Sequence, residues 1–154
     1  MILVDLPDEA ATAALAARIA ALTAPGDIIA LNGDLGAGKT SFARAFIRAC
    51  GDPYEEVPSP TFTLVQMYES DAGAIWHFDL YRLDSGNEAW ELGIEDAFAT
   101  GISLIEWPDR LGPLLPAHRL EITLDFGDAP EARRAVLVGD TGWRARLSQI
   151  TADA

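Results

Sequence analysis

Gly33-Asp34-Leu35-Gly36-Ala37-Gly38-Lys39-Thr40 has the Gly-x-x-x-x-Gly-Lys-Thr spacing of a phosphate-binding loop. Its flanks decide the fold. Asp27 to Asn32 reads as a short buried strand entering the loop. Ser41 to Cys50 reads as the helix leaving it, with Phe42, Phe46 and Cys50 along one apolar side, Arg44 and Arg48 elsewhere, and Gly51 as the stop. A strand–loop–helix frame is the context in which this motif carries a mechanism. Glycines let successive backbone N–H groups converge on phosphate oxygens with no Cβ in the way. The start of the helix adds the positive end of its dipole. A lysine supplies a compact point charge to the β- and γ-phosphates, and a threonine hydroxyl ligates Mg²⁺. Lys39 is the single lysine of the chain, whose other basic side chains are ten arginines and two histidines. Asp34, Leu35, Gly36, Ala37, Gly38, Lys39, Thr40 and Ser41 are therefore the expected phosphate contacts. Lys39 also acts catalytically, and Thr40 also holds metal.

Working outward, Met1 to Leu6 suits an edge strand. The Ala-rich stretch from Ala10 to Ala24 follows, with Leu15, Ile19 and Leu22 at helical spacing and Pro7, Asp8 and Glu9 fitting a first turn. Arg18 and two threonines within it mark an amphipathic surface helix and not a membrane span. Thr61 to Glu69 alternates and is rich in β-formers. It turns through Asp71-Ala72-Gly73 and returns over Ala74 to Leu80 as a hairpin. Ser85 with Glu88 has the spacing of a capping box opening a short helix through Trp90. Ile102 to Glu106 is a mostly apolar run fit for a central strand. Leu120, Ile122, Leu124 and Phe126 alternate with Glu121, Thr123 and Asp125, as in a half-exposed antiparallel strand, with Ala135 to Val138 as its mate. Trp143, Leu147 and Ile150 close the chain on an amphipathic helix. The pattern predicts one α/β domain over residues 1–154, a three-layer phosphate-loop fold on a mixed parallel and antiparallel sheet.

The 154 residues, 49% of them hydrophobic, match a common single-domain size and are enough for a sizeable core. A lone cysteine, Cys50, rules out an internal disulfide, and its place on an apolar helix face predicts a buried thiol. The first residues, Met1-Ile2-Leu3-Val4-Asp5, lack the basic region and long apolar core of a secretory signal, so a cytoplasmic, soluble protein without membrane association is expected. A formal net charge of −13 suits a soluble chain and is ill suited to a broad nucleic-acid face, whose affinity comes from neutralising phosphates. A triphosphate is still within reach, because the loop amides, one lysine and Mg²⁺ act locally.

A phosphate loop needs an acid to fix the metal and a group to orient the attacking water. Glu106 ends a buried strand at its carboxyl end, where α/β sheets place their ligand crevice. In His77-Phe78-Asp79-Leu80-Tyr81-Arg82, period-2 geometry puts His77 and Asp79 on one face, opposite Trp76, Phe78 and Leu80. Thr40 and Glu106 are the expected Mg²⁺ holders, while Asp79 assists the metal or positions water. The two acids are interchangeable at this level, since sequence fixes neither distance. The plainer alternatives are a solvated acid at a strand end for Glu106, a surface pair with Arg82 for Asp79, and a structural hydrogen bond for His77. Arg82 either stabilises transition-state charge or anchors Asp79. Ser59-Pro60-Thr61-Phe62, stiffened by Pro58 and Pro60, stands where a nucleotide-sensing switch would place Thr61 near metal or γ-phosphate; the alternative is an ordinary proline turn. Trp107 packs near the nucleotide or in the core. No Asn-Lys-x-Asp guanine signature exists, because the one lysine is already used, which tilts the nucleotide toward ATP.

Four blocks together resemble the TsaE (YjeE) family of small bacterial ATPases of tRNA threonylcarbamoyladenosine biosynthesis. They are Gly33 to Thr40, Ser59-Pro60-Thr61-Phe62-Thr63-Leu64-Val65, His77 to Arg82, and Ile105-Glu106-Trp107-Pro108. Ser41 stands where that family usually has a second threonine. The resemblance implies ATP and Mg²⁺ as cofactors and slow hydrolysis. It also implies action on the TsaB and TsaD partners, with tRNA reading codons that begin with A met only indirectly through the complex. It places a nucleotide contact at Arg133. Two rivals share the loop: a small-molecule kinase, and a non-catalytic nucleotide-gated binding module. A kinase needs an arginine-rich lid, whereas Arg133-Arg134 and Arg144 with Arg146 fall in segments read as regular structure.

Overall fold

Alternation along the strands sorts the core onto the two faces of one sheet. The computed structural model describes the backbone of residues 1–152 and the side chains of residues 1–150; Asp153 and Ala154 of the expected domain lie outside the described residues. The elements are β1 (Ile2–Leu6), α1 (Glu9–Ala21), β2 (Ile28–Asn32), α2 (Lys39–Cys50), β3 (Val65–Ser70), β4 (Gly73–Asp79), a 3-10 helix (Gly86–Leu92), α3 (Ile94–Thr100), β5 (Ile102–Glu106), a second 3-10 segment (Pro108–Leu114), β6 (Leu120–Phe126), β7 (Arg133–Gly139) and α4 (Thr141–Ala152). The seven strands run in the order β1-β7-β6-β2-β5-β4-β3. The middle four, β6, β2, β5 and β4, are parallel, and the outer pairings β1–β7, β6–β7 and β3–β4 are antiparallel. This is the mixed sheet that the sequence predicts.

Ile29 and Leu31 of β2, Ile102 and Leu104 of β5 and Ile75 of β4 face α1, α2 and α4, where they meet Leu15, Ile19, Phe42, Phe46 and Trp143. Ile28, Phe78 and Ile105 face the other way, onto Leu83 of the loop after β4 and onto Ala89, Ile94 and Leu111 of α3 and the 3-10 turns. The same parity sends His77, Asp79 and Glu106 to the α2 side. The α1 N-terminus is capped by Asp8, whose carboxylate accepts the Ala11 N–H at 2.9 Å. Cys50 is buried at the end of α2, and burial together with Asp71 pushes its thiol pKa up. No described helix is long and apolar enough to cross a membrane.

Several expectations need correction. The strand expected from Thr61 starts at Val65, because Thr61 to Leu64 form a turn closed by the Leu64 N–H on the Pro60 carbonyl at 2.7 Å. Leu64 itself sits at φ 69°, which breaks the extended chain. The Ser85–Glu88 capping box does not form. Residues 86–92 are a 3-10 helix, and the Glu88 carboxylate instead accepts the Asp84 N–H at 3.1 Å. β6 is antiparallel only to β7; on its other side it pairs parallel with β2. Helix α3 and the second 3-10 segment had no counterpart in the sequence reading.

Candidate nucleotide-binding site

Residues 33–40 connect β2 to α2, as the motif requires. Gly36 and Gly38 adopt φ of 82° and 107°, the left-handed region that L side chains avoid. Gly38 occupies the N-cap of α2 without a side-chain cap, so the first-turn N–H groups are left for an outside acceptor. Gly33 is required for a different reason: a Cβ there would lie 2.6 Å from the Leu124 carbonyl oxygen of β6. That glycine seats the loop against the sheet, and the other two shape its cradle.

β5 and β4 bring the two acids side by side, since Asp79 and Glu106 are register partners across the parallel pair. Both are buried. The Thr40 hydroxyl lies 3.0 Å from each oxygen of Glu106. Glu106 Oε2 is also 2.6 Å from His77 Nε2, in a pair shut off from solvent. Asp79 Oδ1 accepts the Tyr81 N–H at 3.1 Å, and its Oδ2 accepts the Thr61 hydroxyl at 2.8 Å. Ser59 in turn lies 2.8 Å from Thr61, so a short hydroxyl relay ties the Pro58–Pro60 loop to Asp79. Among the described residues Arg82 makes no ion pair with Asp79, against the anchoring alternative. The Arg82 guanidinium is exposed and stacks 4.4 Å over Phe62.

Lys39 is only 5% exposed and donates to the Gly33 carbonyl. Its ammonium lies 3.7 Å from the centroid of the Trp107 ring. Burial lowers the Lys39 pKa, and the nearby charges of Glu106, Asp79, Asp34 and Asp109 work against that shift. Trp107 holds a left-handed backbone, φ 59° and ψ 53°, directly before Pro108. That conformation is doubly disfavoured, for a large non-glycine residue and for a residue preceding proline. Tyr81 braces it from outside at 4.9 Å. Gly36, Gly38, Lys39, Thr40, Ser59, Thr61, Glu106 and Trp107 enclose a cavity of about 230 Å³. Among the described residues no cluster of three or more Asp, Glu, His or Cys forms a protein-only metal cage.

Arg133, at the start of β7, reaches back to the loop. Its Nε donates to the Ala37 carbonyl at 3.1 Å, another N–H reaches the Gly36 carbonyl at 3.2 Å, and its guanidinium lies 5.0 Å from the Phe126 ring. Beyond it, Asp8, Thr12, Glu131 and Arg133 join Gly36 and Gly38 around a larger cavity of about 580 Å³. The sequence reading missed Asp8, Thr12 and Glu131. Asp8 was legible as a helix start, but nothing in the chain shows that α1 begins beside the loop. Arg134 pairs with Asp5, while Arg144 and Arg146 lie on α4, so none of them forms a lid.

Comparisons with known proteins give the family and the fold. The profile of the family described as Threonylcarbamoyl adenosine biosynthesis protein TsaE matches residues 6–136. The tRNA threonylcarbamoyladenosine biosynthesis protein TsaE of Rickettsia felis is 44% identical over 124 residues, 80% of this chain and 72% of its own. This chain belongs to the TsaE family. The TsaE protein of Bacillus subtilis is 39% identical over 119 residues, covering 77% of this chain and 72% of that protein. The crystal structure of Bacillus subtilis YdiB superposes with a TM-score of 0.78 at 26% identity, over 99% of this chain and 95% of that one. All four sequence blocks that suggested the TsaE family lie inside the matched span, and three of them supply walls of the 230 Å³ cavity.

Proposed function

We propose that this TsaE-family chain is an Mg²⁺-dependent ATPase serving tRNA threonylcarbamoyladenosine biosynthesis. Its ATP cycle would act on a TsaB–TsaD complex that itself holds the tRNA. The observation that carries the reading is the contact of Thr40 with both oxygens of Glu106 at the mouth of a glycine cradle, with Asp79 in register beside it. A hydroxyl and one carboxylate, with phosphate oxygens and water completing the shell, suit Mg²⁺, which is seldom caged by protein alone. When bound, the metal would neutralise charge on the β- and γ-phosphate oxygens.

The chain's own groups do the rest. The amides of Gly36, Gly38, Lys39 and Thr40 grip phosphate, and Lys39 exchanges the Gly33 carbonyl and the indole for phosphate oxygens. Thr40 and Glu106 hold the metal. Asp79, tied to Thr61, is placed to orient a water for attack. The larger cavity past Arg133 has room for the nucleoside, and a chain whose one lysine lies in the phosphate loop offers no guanine signature, which supports ATP. Exposed Leu35, Phe62 and Tyr81 beside the mouth offer apolar contact to a protein partner. The negative net charge agrees with leaving tRNA to that partner.

The test is phosphate release from ATP, with and without Mg²⁺ and with and without TsaB and TsaD, read together with modified-nucleoside formation on tRNA. Mg²⁺-dependent release that the partners change, and that Glu106→Ala abolishes, is expected. Transfer of phosphate to a small-molecule acceptor would establish the kinase reading instead. Unchanged release in both Glu106→Ala and Asp79→Ala, with altered partner binding, would establish the non-catalytic module.

A further inference from the structure

Thr40 cannot choose between the oxygens of Glu106, because its hydroxyl lies 3.0 Å from both. His77 can, since its Nε2 touches Oε2 alone, at 2.6 Å. A carboxylate only accepts, so Nε2 carries the proton and the ring is an Nε2–H donor. That bond ties down Oε2 and fixes the rotation of the carboxylate, leaving Oε1 in contact with the Thr40 hydroxyl and without a histidine partner. The remaining ring atom, Nδ1, is buried with no hydrogen-bond partner among the described residues. An apolar side chain of similar size would avoid leaving that polar atom unpaired, so stability alone does not account for a histidine here. The backbone supports the aim: His77 is the register partner of Leu104, two residues before Glu106 on β5, and the imidazole reaches along the strand to the carboxylate.

We propose that His77 is a positioning residue whose buried Nε2–H orients the Glu106 carboxylate toward the metal of the bound nucleotide. The inference rests on the reading of Glu106 as a metal holder and adds the group that aims it. Partners of metal-ligating groups commonly carry tenfold or more in metal affinity.

The experiment measures the affinity of AMPPNP, a non-hydrolysable ATP analogue, in EDTA and in saturating Mg²⁺, for wild type, His77→Phe and His77→Gln. The ratio of the two affinities isolates the metal's contribution from the loop's. His77→Phe should lower that ratio roughly tenfold, with the EDTA affinity unchanged. His77→Gln, which restores a donor at the same distance from the backbone, should recover most of it. Equal ratios in all three proteins, an equal loss in both variants, or a parallel loss in EDTA would each overturn the proposal. Wild type provides a test that needs no variant to fold. With only two histidines in the chain, ¹⁵N spectra resolve the His77 ring, whose Nε2 should carry a proton; an Nε2 without one would overturn the assignment. A wild-type chain that binds no AMPPNP in either buffer would remove the nucleotide reading itself. One that binds with the full Mg²⁺ dependence while His77→Phe matches it removes this inference alone.

Discussion

β2 carries a buried polar cluster at each end, and the two are built on opposite principles. At its start, Asp27 is closed off: Arg146 meets it at 2.6 and 3.3 Å, the Ala24 N–H at 2.7 Å, and His118 Nε2 at 3.7 Å. His118 also binds Asp140, which accepts the Trp143 N–H near the start of α4, and Arg146 stacks 4.3 Å over the Trp143 ring. Those bonds lock α4 to the strand. At the far end of β2, two carboxylates lie side by side and the one lysine bonds to neither, resting on a carbonyl and an indole. Backbone strain at Leu64 and Trp107 gathers at this end and not at the other. A closed cluster holds structure together. An open one keeps unspent charge and stored strain for a ligand.

The comparison breaks most sharply at Lys39. Lys39→Ala should cut ATP affinity by at least ~100-fold, through loss of charge-assisted bonds to phosphate, while leaving the unfolding midpoint of the free chain intact; calorimetric titration and thermal melts read the two quantities. Glu106→Gln should slow hydrolysis by roughly 100-fold without lowering the melting temperature, because it relieves the neighbouring Asp79 charge. At the closed end the signs reverse. Asp27→Ala should cost about 2–3 kcal/mol in urea unfolding, near the low end for breaking a buried pair because Arg146 keeps 30% of its side chain in water, and ATP affinity should not change.

The smallest effects are in pH. The folded Lys39 pKa is depressed below its ordinary 10.5. The unfolded chain therefore binds the extra proton between the two values, and stability rises with pH through that alkaline window; Lys39→Met should flatten the rise. For Asp140 the Trp143 backbone N–H and the His118 side chain hold the pKa below 3.8. Its contribution is present above 3.8 and is lost as pH falls through the lower folded value, so Asp140→Asn should blunt the acid arm of the stability profile. Melts across pH in the absence of nucleotide check both.

Much of the glycine-loop end was legible because it is written in local spacing. The loop, the strand before it, the helix after it and the strand ending at Glu106 all carry their own periodicity, and period-2 geometry alone put His77 and Asp79 on one face. The misses share a cause. Thr61 looks like a strand residue by propensity, but a left-handed Leu64 turns its hydroxyl onto Asp79. Ser85 and Glu88 have capping spacing, but the segment settles into 3-10 geometry. Arg82 sits three residues from Asp79 yet stacks on Phe62, because the chain leaves the sheet between them. Nothing in the sequence marks Trp107 as strained, since strain is imposed by what surrounds a residue.

The chain by itself determined which groups exist and which of them share a face: a glycine cradle, one ammonium, and acids at strand ends. Those follow from spacing and from the two periods of regular structure. Only the tertiary structure decided which of these groups touch. The parallel pairing of β4 with β5 set Asp79 beside Glu106, the loop geometry carried Thr40 to the same carboxylate, and the sheet order brought Arg133 from a distant strand onto the loop. Distances between segments far apart in sequence are fixed by packing, and no local pattern encodes them.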